Sequence, residues 1–150
     1  MKITSSAFED NQPIPAKYTC DGDPPSGGTN PPLEFLEVPE DEGSLVLIME
    51  DPDAPGKTFT HWIMWNIPTP TTSISENSVP LGAVEGTNDF NKVGYGGPCP
   101  PSGTHRYIFR LIALDAFINL ESGASKNELE MAMASHIVVS AELTGLYGKK

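Results

Sequence analysis

Apolar residues in this chain come in short bursts, and the spacing inside each burst reads as β-strand. Leu45-Val46-Leu47-Ile48-Met49 runs unbroken between Ser44 and Glu50, the pattern of a strand covered on both faces, so 44–50 is expected to be a central strand. Positions 60–67 put Thr60, Trp62, Met64 and Asn66 on one face and His61, Ile63, Trp65 and Ile67 on the other, since successive strand side chains point to opposite sides; Pro68 stops the run. Within 105–114, His105, Tyr107, Phe109 and Leu111 stand opposite Arg106, Ile108, Arg110 and Ile112, so the first two inward candidates are polar. Segment 137–143 alternates Ile137, Val139, Ala141 and Leu143 against Val138, Ser140 and Glu142, and stretches near 2–8, 17–20 and 33–36 read as edge strands. One helix is expected, over 126–136. Ser125-Lys126-Asn127-Glu128 is a capping box, and Leu129, Ala132, Met133 and His136 follow at helical spacing. His136 would sit at the helix end, where a cation complements the dipole, in a structural role. One helix and about seven to nine short strands predict a mainly β fold, a β-sandwich whose sheets bury each other's apolar faces without helical cover. A small barrel is the fallback.

Composition agrees with a single domain spanning 1–150. Of the 150 residues, 38% are hydrophobic and 19% charged, and Trp62, Trp65, six Phe and four Tyr supply core material, unlike a disordered chain. Fifteen Pro and 14 Gly cluster at 22–32, 52–56, 68–70 and 94–103, the punctuation of loops between strands. The tract from Pro24 to Pro32 reads as a long surface loop. Nine Lys and Arg against 20 Asp and Glu give a net charge of −11, which argues against the broad cationic surface that nucleic acid or anionic lipid requires and leaves room only for a local cationic pocket. No stretch reaches the roughly 20 apolar residues of a membrane span, and Met1-Lys2-Ile3-Thr4-Ser5-Ser6 lacks the apolar centre of a signal peptide. The expectation is a cytoplasmic protein with no integral membrane association. In that compartment Cys20 and Cys99 are expected to be reduced thiols.

The polar residues that do not suit core packing fall at strand ends: Asp51-Pro52-Asp53-Ala54-Pro55 after the central strand, His61 opening the next, and Gly97-Pro98-Cys99-Pro100-Pro101 leading to His105-Arg106-Tyr107. Proline fixes φ and removes a backbone donor, so a loop with Pro98, Pro100 and Pro101 loses little entropy on holding a shape. It suits a preformed pocket wall. These three motifs, with Asn66 after His61, Phe8 to Ile14-Pro15, Tyr18-Thr19-Cys20-Asp21-Gly22 and the closing Leu143-Gly145-Tyr147, make the sequence similar to the phosphatidylethanolamine-binding protein family, in its short prokaryotic branch, over nearly the whole chain.

The resemblance implies an antiparallel Greek-key β-sandwich with a small anion pocket at one end. Asp51, His61, Pro101, His105 and Tyr107 line it at the matching positions, with Asp53 and Cys99 as further ligand-binding candidates. It implies a binding protein rather than an enzyme, with no cofactor, taking a phosphate-type anion or phospho-ligand such as a phospholipid headgroup, nucleotide or phospho-segment. It further implies a partner protein such as a kinase or protease, and a homodimer. The sequence departs from the family twice. Eukaryotic members carry a longer C-terminal helix beside the pocket, whereas this chain ends three residues after Tyr147, so lipid-headgroup binding and kinase regulation transfer less directly than the pocket. The usual Ser-Pro-Pro-Leu element is Asn30-Pro31-Pro32-Leu33 here, which is expected to enlarge or loosen that loop.

Chemistry is compatible with such a pocket. An imidazole donates a hydrogen bond to a phosphoryl oxygen, a carboxylate such as Asp51 can hold the other ring nitrogen, and Tyr107 adds a neutral donor. The plainer reading is that His61 and His105 cap strand ends and that Asp51 and Asp53 are turn residues before Pro. Asp53 in particular reads as mainly structural. An enzyme would use Asp51, His61 and His105 as a metal site or an acid/base set, but the sequence has no His-Glu-x-x-His, Gly-x-Ser-x-Gly or Cys-x-x-Cys arrangement.

Overall fold

A computed structural model describes residues 1–22, 28–39 and 43–149. Six strands form the larger sheet in the order β2 (Gln12–Pro13), β9 (Ile137–Gly148), β8 (Thr104–Leu114), β4 (Ser44–Asp51), β5 (Phe59–Ile67) and β7 (Val84–Glu85), and three form the smaller, β1 (Lys2–Thr4), β3 (Leu33–Leu36) and β6 (Ser73–Ile74). All pairings are antiparallel except β2 with β9. The fold is the expected mainly β sandwich. β4 is central, between β8 and β5, and its apolar run is explained by its two faces. Leu45, Leu47 and Met49 enter the core between the sheets with Phe35, Trp62, Phe109 and Leu143, while Val46 and Ile48 face the other way.

That second face corrects one expectation, because helical cover is present. Val46, Ile48, Ile63, Trp65, Ile112 and Leu114 pack beneath Leu129 and Met133 of α1 (Lys126–Met133). The helix starts where the capping box predicts: Glu128 N–H donates to Ser125 Oγ at 3.1 Å and Ser125 N–H donates to Glu128 Oε1 at 3.0 Å. It stops at Met133 rather than 136, because the chain turns there to enter β9, where Ile137 already pairs with Leu114. His136 is therefore outside the helix, and its Nδ1 lies 2.7 Å from Asp115 Oδ1.

Other boundaries also differ. Residues 17–20 are not an edge strand: after Pro15 the chain winds into a 3₁₀ turn over Ala16–Tyr18 and buries the Tyr18 ring. Only Lys2–Thr4 of segment 2–8 pairs, and β9 continues to Gly148. β6 and β7, two residues each, are too short to alternate and were not expected. Residues 24–27 of the Pro24–Pro32 tract lie outside the described residues, but Asn30 toward its far end is not on the surface. Buried, it donates from Nδ2 to the Ser75 carbonyl at 3.1 Å and accepts at Oδ1 from Ser78 N–H at 3.0 Å.

The cysteine expectation is overturned. Cys20 and Cys99 form a disulfide, their Cα atoms 5.4 Å apart across a sequence separation of 79. Compartment rules concern the redox environment and carry no information on proximity. Here the fold lays the strap containing Cys20 against the Pro-rich loop: Cys20 N–H donates to the Pro98 carbonyl at 3.1 Å, and Tyr95 Oη donates to the Tyr18 carbonyl at 2.7 Å. Among the described residues, no helix is long and apolar enough to cross a membrane.

Candidate functional site

Antiparallel pairing explains how three motifs so far apart in sequence meet. The C-terminal end of β4 lies beside the N-terminal ends of both its neighbours, with Asp51 opposite Phe59 of β5 and Glu50 opposite Ile108 of β8. On β8 the inward stripe Leu111, Phe109 continues as Tyr107 and His105, so the apolar core turns polar at this end of the sandwich. His61 reaches the same place by a different device. Simple alternation puts it with Ile63 and Trp65 on the helix-covered face, but β4–β5 pairing passes from Met49–Trp62 directly to Glu50–Thr60. His61 is the extra residue of a β-bulge. A bulge re-aims a side chain, and the His61 ring stands with its centroid 5.2 Å from that of Tyr107.

The result is a cavity of about 290 Å³ lined by Asp51, Ala54, Pro55, Phe59, His61, Phe90, Cys99, Pro100, Pro101, His105 and Tyr107. Six of the seven sequence candidates are among these residues. Asp53 is not: its carboxylate accepts from Arg106 N–H at 2.9 Å, Nε at 3.0 Å and Nη2 at 2.8 Å. Arg106 holds the Asp53 carboxyl down at about 2. Asp53 thus ties the loop after β4 to the start of β8, the structural role read for it from the sequence. Four depressions are larger, of about 340, 420, 510 and 520 Å³. None of them contains an imidazole, so chemistry singles out the smaller cavity.

Each ionisable wall residue has its orientation fixed. Asp51 and His105 are both buried, with His105 Nδ1 2.6 Å from Asp51 Oδ2, and the other carboxylate oxygen accepts from Asp53 N–H at 2.7 Å. His61 Nδ1 lies 2.6 Å from the Gly96 carbonyl, whose own N–H donates to the His61 carbonyl at 2.9 Å. Burial pushes the His61 pKa down, opposed by the Gly96 carbonyl, by the Asp51 and Asp89 charges and by the Gly97 carbonyl. Burial, with the nearby Asp51 and Asp53 charges, pushes the Tyr107 phenol up, so it is held as a neutral O–H. Among the described residues its hydroxyl has no hydrogen-bond partner.

Two wall residues escaped the sequence reading. Phe59 and Phe90 stack their edges around His61, with ring centroids 4.9 and 5.5 Å away. Gly96 makes room for Phe90: a Cβ there would fall 2.4 Å from the Phe90 ring. A lone Phe in a polar loop carries no periodic signal, although the glycines of 94–97 could have marked a close approach. Chemically the cavity joins two imidazoles, a phenol and a carboxylate to an apolar rim. Among the described residues, no three His, Cys, Asp or Glu groups are arranged to hold a metal.

Comparison with known proteins agrees with this architecture. Residues 4–148 match the family model described as phosphatidylethanolamine-binding protein. A protein of Methanothermobacter thermautotrophicus named only UPF0098 is 48% identical over 152 residues, 98% of each chain. Among solved structures, a putative phosphatidylethanolamine-binding protein homologue, CT736 of Chlamydia trachomatis, superposes with a TM-score of 0.92 at 42% identity, covering 99% of this chain and 97% of that one. YbcL of Escherichia coli, described as a new member of the mammalian family, gives 0.90 at 32% identity over 99% and 98%.

Proposed function

Because the chain belongs to the phosphatidylethanolamine-binding protein family, we propose that it is a binding protein whose cavity holds a phosphate-type anion against His61, His105 and Tyr107. The observation that carries this reading is the convergence of two buried imidazoles and a neutral phenol in a cavity of about 290 Å³. With the protein's net charge of −11, attraction at long range is unfavourable and screened, so affinity rests on short hydrogen bonds inside a partly desolvated site. A ligand of few atoms has little total binding energy. Free phosphate is therefore expected to bind with Kd in the range of roughly 0.1–10 mM, and larger phospho-ligands bind more tightly through Phe59, Phe90 and Pro101.

Titrating phosphate while following the histidine ring signals by NMR tests this. Binding should weaken as pH rises through the histidines' range, because a neutral imidazole attracts an anion less than a charged one. His105→Ala and Asp51→Asn should each weaken binding about tenfold or more, the loss of one charge-assisted hydrogen bond, whereas Asp53→Asn should leave it within about twofold. Equal affinity at pH 5.5 and 8 together with an unaffected His105→Ala would refute the proposal.

The small, walled cavity supports a compact phosphoryl group over a broad protein surface. A kinase or protease partner would have to present that group on an exposed segment. The homodimer rests on the family resemblance alone. Light scattering that gives 16.1 kDa at every concentration would reject it.

A further inference from the structure

Both imidazoles have committed the same nitrogen. Carbonyl oxygens and carboxylates only accept hydrogen bonds, so the His61 Nδ1 that faces the Gly96 carbonyl and the His105 Nδ1 that faces Asp51 Oδ2 each carry the ring hydrogen. What remains for the cavity on each ring is Nε2, which in a neutral imidazole is an acceptor. Other donors are scarce in the wall. Pro55, Pro100 and Pro101 have no N–H, so the backbone nest that usually cradles a phosphate is missing along that side. The Tyr107 hydroxyl is the neutral side-chain donor in the wall.

Once both rings are neutral, an anion with no hydrogen of its own would thus meet two lone pairs, the Asp51 carboxylate and one phenol. A phosphoryl group that brings a P–O–H fits instead, because it donates to Nε2 while Tyr107 donates to a bare oxygen. We propose that the cavity accepts its phosphoryl group only together with a proton, and so selects inorganic phosphate and phosphomonoesters over sulfate and phosphodiesters. This rests on the binding reading above and narrows its ligand class.

The groups facing the two rings all favour this arrangement or leave it unchanged. His61 sees Asp51 from β4, Asp89 from the loop after β7, Tyr107 from β8 and the Gly96 and Gly97 carbonyls. Burial outweighs the carboxylates and holds it neutral. His105 sees Asp51, Asp53, Tyr107 and, opposite it on β9, Tyr147, whose hydroxyl donates to Asp21 at 2.5 Å. No lysine or arginine lines the cavity, and Arg106, next to His105 in the chain, is engaged by Asp53.

NMR titration of the wild-type protein with phosphate, methyl phosphate, sulfate and dimethyl phosphate at matched ionic strength decides the matter. At pH 7.5 phosphate should bind at least tenfold more tightly than sulfate or dimethyl phosphate. Methyl phosphate, whose dianion has lost its P–O–H, should lose affinity about tenfold per pH unit above that, one proton being taken up with the ligand, whereas phosphate, which keeps a P–O–H as its dianion, should not. In His61→Gln, whose amide supplies a fixed donor, sulfate should gain on phosphate. Sulfate binding as tightly as phosphate at pH 7.5, or methyl phosphate affinity unchanged between pH 7.5 and 8.5, overturns the selectivity while leaving phosphate binding itself in place. If phosphate does not bind even at pH 5.5, the underlying binding reading falls, and the selectivity with it.

Discussion

A single inserted residue decides the character of the cavity. Without the bulge at His61, β5 would present Thr60 or Trp62 to Tyr107, and the imidazole would be stranded among Ile63, Trp65 and the helix. Its position has a cost that pH exposes. The His61 pKa is lowered in the folded protein, burial being the main cause, so below the ordinary value of 6.5 the unfolded chain binds a proton that the folded ring refuses. Stability should fall as pH drops from 6.5 through the ring's lowered value, and the loss is complete below it. Asp53, held at about 2, titrates well below that window and does not confuse it. Urea midpoints at pH 7.5 and 5.0 should thus converge in His61→Gln relative to the wild type; an equal drop in both proteins would assign the acid loss to other groups.

At the scale of elements, the helix and the cavity lie on opposite sides of the large sheet and can be varied separately. α1 closes the outer core through Leu129 and Met133, and its start depends on the reciprocal Ser125–Glu128 bonds. Ser125→Ala should cost roughly 0.5–2 kcal/mol, read as a lowered melting temperature, with phosphate affinity unchanged. Loss of binding at constant melting temperature would mean that the helix serves the site directly. Strands long enough to show a period, β4, β5 and β8, were legible from the sequence to within a residue. The two-residue β6 and β7 were not, because a period cannot be read from two positions. The fates of Ile137 and Val138, both 50% exposed, were equally hidden: β9 runs past the edge of the core, and apolar alternation says nothing about how far the opposing layer extends.

Across the whole molecule, the Cys20–Cys99 disulfide ties the N-terminal strap to the wall of the cavity. A link of this span is expected to contribute roughly 2–4 kcal/mol by restricting the unfolded chain. The double variant Cys20→Ser, Cys99→Ser should accordingly show a lower urea midpoint, and intact mass of the wild type purified without reductant should be two hydrogens below the reduced form. Two free thiols in such a preparation would reject the bond. The same long-range joining brings Asp51, His61 and His105 together from three strands and sets Asn30 against Ser75 and Ser78.

Local order along the chain was enough to specify the mainly β class, the central strand and the helix start, because alternation, capping and proline punctuation act over a few residues. The ordered motifs that carry the family resemblance named seven site candidates, of which six line the cavity. Four features were decided only in three dimensions. They are the bulge that turns His61 inward, the disulfide, the helical cover over the second core and the separation of Asp53 from the cavity. Each depends on which segments become neighbours across dozens of residues, and neighbourhood at that range is fixed by strand register and sheet stacking, which no local pattern encodes.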